Sequence, residues 1–538
     1  MTVRTALFVR KSTGLVREAS ALDATIFNAV LSAPVGVTLA WSCFFALAAF
    51  PGADLVSAVI IAMIVSVPVL VMFALLATSM PRVGGDYVWV SRILSPPFGV
   101  MSNLAVAMAG LMGASFFAKV FSVLALGPVL VSLGVLLGNS SFVSWGNSFQ
   151  TDNNWILVAG FAAIVFETAI MIAGTKWIFR FQNLFFLVAS IGTFLAFLVL
   201  LVGSQTDFFS HFNQLNAQYG GGTAQQVIGA VNAQGASPSL GNLDATLPTV
   251  FVVLTFMMWN WWSVYMSGEL KSAASRSRQL TTMFGALLWD GLWIIVGILL
   301  IFKVTGYDFM VAVNQANSSY AIPTGGWYHF IASLVFNNPI LTILIVGSFL
   351  FWCLPGMIAN IYMPIRSVFA WSFDRLLPEK LSDVNERTHS PVPAILLCNV
   401  LVALGLVWAT VSGSFATMLG LGVLAGAMAV VIVGIAAVAF PTRRPDLYRA
   451  SPANVNVLGI PILYIAGVLS AVVFVFVIYL ALQYPALVMA GNPANAWWIP
   501  AWVLGIAALA LVIYYGASFI RRRQGIDIGL VYRELPPE

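Results

Sequence analysis

The residues best suited to binding chemistry stand together in one stretch, FMMWNWWSVYMSGELK. It places Asn260 among Trp259, Trp261 and Trp262, directly after Met258. An amide both donates and accepts hydrogen bonds, and an indole ring holds apolar groups or cations, the latter through cation–π contacts worth about 0.5 to 2 kcal/mol. Successive helical positions point in nearly all directions, so only some of these side chains can face one pocket. The stretch predicts a non-covalent site for an apolar, aromatic or cationic organic solute, and the alternative is that the tryptophans form an aromatic belt or pack against neighbouring helices.

Three ionisable residues, Lys119, Glu167 and Asp290, lie inside long apolar runs. Such a charge at the centre of a bilayer costs about 2.5 to 3.5 kcal/mol, so each is expected to have a partner or an aqueous path. We predict that Lys119 and Glu167 form a structural ion pair, with a role in coupling as the alternative. No buried His or Cys dyad and no spacing of metal ligands is present in the sequence, which argues against an enzyme, a metal site or a cofactor.

The elements that position these residues are membrane helices. Of the 538 residues, 60% are hydrophobic and only 8% are charged, too little polar surface to cover a soluble protein of this size. A spanning helix needs about 20 apolar residues, and the apolar runs are continuous rather than alternating, unlike those of a β-barrel. The runs predict an all-α integral membrane protein with about twelve spans, at residues 24–50, 53–79, 99–128, 154–174, 181–203, 246–268, 279–302, 339–366, 391–411, 413–440, 459–483 and 497–520.

The basic residues concentrate on one side of these predicted spans, the pattern of cytoplasmic loops. They are Arg82, Arg92, Lys176, Arg180, Lys271, Arg276, Arg278, Arg375, Lys380, Arg387, Arg443, Arg444, Arg449 and Arg521 to Arg523. Both termini are therefore predicted to be cytoplasmic. The charge sets topology and meets anionic lipid, so a nucleic-acid partner is not expected. The predicted outer loops, residues 204–245 and 304–338, are rich in Gln, Asn, Gly and Ser, and either cap the outer vestibule or are flexible connectors.

The first span contains the second set of candidate binding residues. Its sequence NAVLSAPVGVTLAW predicts a helix break over five positions: Ser32, Ala33, Pro34, Val35 and Gly36. Proline removes a backbone donor and clashes with the preceding turn, and the freed carbonyls are tolerated in lipid where they line a cavity. A simple proline kink is the alternative. The Trp-rich stretch is a second break five spans later, and paired breaks of this kind are a mark of inverted-repeat transporters.

Several motifs resemble those of the amino acid, polyamine and organocation (APC) transporter superfamily. The loop PRVGGDYVWVSRILSPPFG, from Pro81 to Gly99, resembles that superfamily's signature between helices two and three. The segment from Arg366, RSVFAWSFDRLLPEKLSDVNERTHSPVPAI, resembles its end of helix eight, and SGELK at Ser267 to Lys271 resembles its end of helix six. The matches occur in order and extend over spans one to ten.

The resemblance implies two inverted repeats of five helices, as in the leucine-transporter-type fold. The predicted division is a cytoplasmic tail at 1–23, a transport core at 24–440 (repeats 24–203 and 246–440), two peripheral helices within 441–520 and a cytoplasmic tail at 521–538. The resemblance also implies that substrate binds at the breaks in helices one and six, where a half-helix N-terminus attracts a carboxylate. In this architecture Asp290 lies on a moving helix, so its protonation is the expected coupling step.

We therefore predict a secondary transporter of amino acids that works by alternating access in the plasma membrane. Transport of polyamines or other organic cations is the alternative, and a solute sensor or a channel is less expected. Neither the sodium-site hydroxyls of helix eight nor the helix-five lysine of some relatives is present, although we expect a proton rather than sodium as the coupling ion. Symport, exchange and uniport, and the oligomeric state, are left open.

Overall fold

A computed structural model describes residues 17–32, 35–40, 43, 46–232, 241–271, 273–315, 318–413, 415–488 and 497–533. Twelve helices in this part of the chain are long and apolar enough to cross a membrane. We number them spans 1 to 12: Ala21–Leu39, Leu55–Ser79, Pro96–Leu137, Asn153–Ala173, Thr175–Val202, Leu243–Met266, Arg276–Thr305, Pro339–Phe373, Val392–Val411, Thr417–Arg443, Ile462–Gln483 and Trp498–Arg523. The predicted all-α membrane fold with twelve spans is confirmed.

The individual segments have the following bounds. The α-helices are Ala21–Ser32, Val35–Ala40, Leu47–Ala49, Leu55–Ser79, Asp86–Ile93, Pro96–Val120, Gly127–Leu137, Ser140–Thr151, Asn153–Ala173, Thr175–Val202, Gln205–Gln218, Ala224–Asn232, Leu243–Met257, Arg276–Thr305, Tyr307–Asn314, Tyr328–Phe336, Pro339–Ser348, Cys353–Phe373, Val392–Val411, Phe415–Arg443, Pro445–Ala450, Ile462–Gln483 and Trp498–Arg523. A π-helix runs over Phe121–Leu126, and 3₁₀ helices run over Trp262–Met266, Phe349–Trp352, Glu379–Ser382, Pro485–Leu487 and Ile528–Arg533. Two short antiparallel strands, β1 (Asn456–Val457) and β2 (Ile460–Pro461), form a hairpin between spans 10 and 11.

The helix ends follow ordinary capping chemistry. Asp54 accepts hydrogen bonds from the backbone N–H groups of Val56 and Ser57 at the start of span 2, at 3.0 and 3.2 Å. Asn338 accepts from Ile340 and Leu341 in the same way at the start of span 8. These side chains satisfy N–H donors that a helix leaves unpaired in its first turn, and they place the helix starts close to the predicted ones.

The spans differ in how much of each is buried inside the protein. Spans 6 and 10 are the most buried of the twelve and span 12 is the least. Span 3 packs against spans 8, 9 and 10, span 7 packs against spans 1 and 2, and span 11 lies on spans 10 and 2. This arrangement surrounds the Trp-rich stretch of span 6 with protein on every side, while large apolar side chains of spans 4, 5, 9, 11 and 12 remain exposed, as lipid contact requires.

The segments predicted as outer loops contain four helices. Gln205–Gln218 and Ala224–Asn232 follow span 5, and Tyr307–Asn314 and Tyr328–Phe336 follow span 7. The high Gln, Asn and Ser content suggested loops, but apolar residues at helical spacing, such as Phe208 and Phe212, give these helices a buried face. The helix pair after span 5 is tied to the segment after span 7 by the Asn216 amide, which donates to the Ser319 carbonyl at 2.8 Å.

Span 6 is interrupted as predicted. Its α-helix ends at Met257, a turn follows, and the chain continues as a 3₁₀ helix from Trp262 to Met266. The Trp262 N–H bonds the Trp259 carbonyl at 3.0 Å, three residues back instead of four. In span 1, helix is described up to Ser32 and again from Val35, and Ala33 and Pro34, at the centre of the predicted break, lie outside the described residues.

Candidate functional site

A cavity of about 30 Å³ lies between spans 1, 3, 6, 8 and 10, beside the interruption of span 6. A water molecule needs about 10 to 15 Å³ on this measure, so the cavity holds about two. The lining consists of apolar, aromatic, small and neutral polar residues: Leu31, Ala109, Gly113, Phe117, Thr255, Phe256, Trp259, Trp262, Asn360, Met418, Leu419, Gly422 and Val423. No charged side chain belongs to this lining, within the part of the chain that the structure describes.

The three tryptophans of the opening stretch occupy different environments. Trp259 and Trp262 line the cavity and meet edge to face, with ring centroids 5.1 Å apart. Trp261 turns away and stacks on Phe73 of span 2, with centroids 3.9 Å apart. Met258 also lies outside the lining. Its terminal methyl packs where a side chain on Gly426 would stand.

The indole N–H groups of these tryptophans satisfy backbone carbonyls. Trp259 donates to the carbonyl of Thr255 at 2.8 Å and Trp261 to that of Met258 at 2.6 Å. Trp262 reaches across to the carbonyl of Ala359 on span 8 at 3.2 Å. A helix that ends inside a membrane leaves carbonyls without partners, at a cost of several kcal/mol each. The indoles of Trp259 and Trp261 therefore stabilise the interruption of span 6, and that of Trp262 ties it to span 8, roles that the sequence did not indicate.

Asn260 points away from the cavity, into the contact between spans 6 and 7. Its side-chain amide donates to the carboxylate of Asp290 at 2.8 Å, and both residues are fully buried. The sequence analysis assigned Asn260 to the substrate and Asp290 to coupling, as separate residues. The structure joins them because a turn, rather than a helix, sets the direction of Asn260.

The predicted residues of span 1 are only partly described. Leu31, just before the predicted break, lines the cavity. Ala33 and Pro34 lie outside the described residues, as do the side chains of Ser32 and Val35. Gly36 does not line the cavity: a Cβ there would meet Trp352 at 2.5 Å, so glycine is needed for close packing against span 8.

Several lining residues escaped the sequence analysis because they are dispersed over five spans. Asn360 is the clearest example: its amide donates to the Gly356 carbonyl of its own helix at 2.8 Å, which leaves its oxygen for another donor. Gly113 faces that oxygen, and a Cβ on Gly113 would come within 2.0 Å of it. A lone amide in an apolar span and a glycine in the facing span were the available signals.

Comparison with known proteins agrees with these features. The chain matches the family model of amino acid permeases over residues 22–515. It belongs to the amino acid permease family. The resemblance to the APC superfamily is thereby confirmed, and the permease is a multi-pass membrane transporter for a small-molecule substrate. No protein with a curated description matches the chain.

The permease does not form the predicted ion pair between Lys119 and Glu167. Lys119 donates to the carbonyl of Ala409 on span 9 at 3.0 Å. Glu167 is fully buried beside Asn399, and neither of its carboxylate oxygens has a hydrogen-bond partner of good geometry among the described residues. Both side chains meet span 9, but at positions ten residues apart, Ala409 and Asn399, so they lie at different levels along that helix.

The SGELK end of span 6 is held by a buried ion pair. Glu269 accepts two hydrogen bonds from the Arg366 guanidinium of span 8, at 2.5 and 2.9 Å. Thr175 and Tyr362 donate to the same carboxylate at 2.7 and 2.8 Å. A carboxylate with four donors is well compensated for burial, and the arrangement ties span 6 to spans 5 and 8 at the end predicted to face the cytoplasm.

A second buried carboxylate lies at the start of the short helix Asp86–Ile93, between spans 2 and 3. Asp86 accepts from Tyr265 of span 6 and from Asn103 of span 3, each at 2.7 Å, and also from Ser102. Burial raises the pKa of Asp86 to about 6, against the lowering effect of these hydrogen bonds. Asp86 therefore links the interrupted span to the scaffold and titrates near neutral pH.

The 3₁₀ helix Ile528–Arg533, after span 12, packs on the same side of the permease. The Tyr532 hydroxyl lies 2.9 Å from that of Tyr87, which donates to Asp374 at 2.8 Å. Arg92 forms an ion pair with Asp374 at 3.4 Å and lies 5.1 Å from the centroid of the Tyr532 ring. Burial raises the pKa of the Asp374 carboxyl, with Arg92 acting in the opposite direction.

Proposed function

We propose that the permease binds an amino acid of zero net charge with an apolar side chain in this cavity and carries it across the plasma membrane by alternating access. The observation that supports the substrate class is the uncharged lining. A charged side chain on the substrate would be buried without a partner, which costs several kcal/mol. The same reasoning disfavours polyamines, whose ammonium groups would meet no carboxylate in the cavity.

The substrate's own ammonium has a suitable acceptor. Asn360 keeps its oxygen free of the bond that its amide makes to Gly356, and that oxygen faces the cavity next to Gly113. A hydrogen bond from a charged group contributes about 1.5 to 3 kcal/mol. The substrate's carboxylate is expected to bind at the predicted break of span 1, directly after Leu31, where backbone N–H groups are expected to be unpaired.

The apolar side chain of the substrate would rest on the aromatic and aliphatic part of the lining. Phe117 of span 3, Phe256 and Trp262 of span 6, and Met418 and Val423 of span 10 contribute to it. Burial of an apolar side chain of the size of leucine is worth about 1.5 to 3 kcal/mol. This contribution is lost for a polar side chain, so the lining favours leucine-like, methionine-like or aromatic substrates.

The small size of the cavity supports the proposal of alternating access. Its 30 Å³ cannot hold an amino acid, so spans 1 and 6 must move relative to spans 3, 8 and 10 during binding. Movement of span 6 at its SGELK end requires the Glu269–Arg366 pair to separate. With both termini in the cytoplasm, as the basic loops predict, this pair closes the inner side of the pathway.

Binding to a substrate panel tests the proposal. The purified permease is heated with leucine, methionine, phenylalanine, lysine, glutamate or putrescine, because a ligand at 100 times its Kd stabilises by about 2.7 kcal/mol. We expect stabilisation by the neutral apolar amino acids and uptake of the best of them into liposomes. A dominant response to putrescine or lysine, or no response to any compound, contradicts the proposal.

Two matched substitutions locate the site. Trp262→Phe changes the cavity wall and is expected to weaken binding by about 1 kcal/mol, about fivefold. Trp261→Phe also loses one indole hydrogen bond but keeps the stack on Phe73 outside the cavity, and we expect a smaller loss of affinity than for Trp262→Phe. Equal effects of the two substitutions would place the substrate elsewhere.

A further inference from the structure

The contact between Asn260 and Asp290 is chemically incomplete. One hydrogen bond joins the Asn260 amide to Oδ2 of Asp290 at 2.8 Å. The remaining oxygen of each group, Oδ1 of Asn260 and Oδ1 of Asp290, is fully buried and has no hydrogen-bond donor among the described residues. Two orphaned acceptors on adjacent side chains cost free energy that a single added donor would recover.

A proton on Asp290 supplies that donor. A carboxylic acid has one O–H donor and one carbonyl acceptor, and a primary amide has the complementary pair. With the proton on Oδ1, Asp290 donates to Oδ1 of Asn260 while Oδ2 continues to accept from the Asn260 amide. Both orphaned oxygens are then satisfied, and the buried pair carries no net charge, which removes the cost of an isolated carboxylate at membrane depth.

We infer that Asp290 and Asn260 form a proton-binding site that is loaded with one proton for each substrate carried. The inference rests on the proposed function and adds the coupling ion to it. Both side chains are fully buried in the conformation described here. Release of the proton requires spans 6 and 7 to expose Asp290, which makes the proton travel with the conformational change.

The link to the substrate runs through the turn that contains Asn260. Trp259, directly before Asn260, lines the cavity, and so does Trp262, two residues after Asn260. The turn has few backbone hydrogen bonds of its own, since the α-helix ends at Met257. The hydrogen-bonded ring with Asp290 therefore sets the position of the turn, and the turn sets the positions of the two indoles in contact with substrate.

Within the part of the chain that the structure describes, no charged group forms a hydrogen bond or an ion pair with Asp290. The elements packed against span 7 are spans 1, 2, 5 and 6 and the helices Gln205–Gln218, Tyr307–Asn314 and Tyr328–Phe336. Their titratable and charged groups, together with those of span 7, are Asp23, Lys176, Arg180, Asp207, His211, Asp244, Tyr265, Arg276, Arg278, Lys303, Tyr307, Asp308, Tyr328 and His329. Among the described residues, the polar group that acts on Asp290 is Asn260 alone.

Accumulation driven by a pH gradient tests the inference. Proteoliposomes are prepared at zero membrane potential, with the lumen one pH unit more alkaline than the medium. Transport of one proton with each neutral substrate predicts about tenfold accumulation, because one pH unit corresponds to a tenfold ratio. Asp290→Asn, which keeps the shape of the side chain, should still exchange labelled substrate across the membrane but should show no accumulation.

A matched acid-to-amide substitution separates proton binding by Asp290 from the general effect of removing a buried carboxyl group. Glu167→Gln alters another fully buried carboxyl, on span 4, and is expected to keep the tenfold accumulation. Any one of three results overturns the inference. Asp290→Asn accumulates substrate as well as the wild type does, Glu167→Gln also loses accumulation, or accumulation follows a sodium gradient. Absence of exchange by the wild-type permease would instead contradict the proposed function.

A spectroscopic measurement covers the case in which Asp290→Asn does not fold. Infrared difference spectra of the wild type should show the C=O band of a protonated carboxylic acid that appears when substrate binds. Asn260→Ala removes the amide partner and should shift that band to a frequency typical of weaker hydrogen bonding. Absence of the band, or a band that Asn260→Ala leaves unchanged, overturns the inference.

Discussion

Replacement of Gly113 by alanine tests the assignment of Asn360 as the acceptor for the substrate ammonium. An alanine Cβ at this position would lie 2.0 Å from Oδ1 of Asn360 and 2.7 Å from its Cγ. Carbon and oxygen atoms do not approach so closely, so the amide must rotate away from the cavity. The rotation opposes the hydrogen bond to Gly356 and leaves an unfavourable side-chain torsion that costs about 0.5 to 1.5 kcal/mol.

The effect on binding follows from the hydrogen bond that is lost. A bond between a neutral acceptor and an ammonium contributes about 1.5 to 3 kcal/mol, so the affinity of Gly113→Ala should fall by about 10- to 150-fold. The best matched control is Gly422→Ala on span 10. Gly422 lines the same cavity, but a Cβ there would meet nothing nearer than 3.8 Å, and we expect less than about a threefold change.

The assay is binding of the preferred amino acid, measured by calorimetry and compared with an analogue in which hydrogen replaces the amino group. The wild type should prefer the amino acid, and Gly113→Ala should lose most of that preference. Near-wild-type affinity in Gly113→Ala, or an equal loss for the analogue, would refute the role of Asn360. A larger effect of Gly422→Ala would refute the geometry of the cavity.

Two further predictions concern the inner side. For Asp86 the folded pKa of about 6 lies above the ordinary value of 3.8, so the folded state binds the extra proton, and stability should rise as the pH falls through 6. The expected gain between pH 7.5 and pH 5 is about 1.4 kcal/mol. It should be absent in Asp86→Asn, and thermal unfolding curves with the same pH dependence in both proteins would contradict it. Glu269→Gln leaves Arg366 buried without its counter-charge and should destabilise the permease by about 3 to 5 kcal/mol. Replacement by Gln of the exposed Glu379, whose partners Arg375 and Arg521 lie 3.7 and 3.9 Å away, should cost less than about 1 kcal/mol. Similar losses in the two variants would contradict the importance of the buried pair.

Much of the fold could be predicted because its signals are local. Each span is a continuous apolar run, and the bilayer allows only a helix for such a run. The break in span 6 was also visible, since an amide and three indoles interrupt an apolar helix. The family followed from short motifs in the loops, which are read directly along the chain.

The details of the site could not be predicted in the same way. Apolar residues surround every span, so there is little amphipathic pattern to show which face of a helix meets a cavity. Lys119 and Glu167 were expected to pair because both are charged at depth, but they meet span 9 at different levels, at Ala409 and Asn399. Gly113 and Asn360 have no special pattern along the chain, and only the packing of span 3 on span 8 brings them together.

The stretch around Asn260 shows both sides of this division. Its sequence was sufficient to predict that span 6 is interrupted and that the interruption matters, because polar and bulky groups are costly in an apolar helix. Which side chain meets the substrate was decided by tertiary structure: Trp259 and Trp262 face the cavity, Trp261 stacks on Phe73, and Asn260 meets Asp290, thirty residues away. The physical reason is that a turn without helical hydrogen bonds has no periodicity, so the neighbouring spans determine where each of its side chains points.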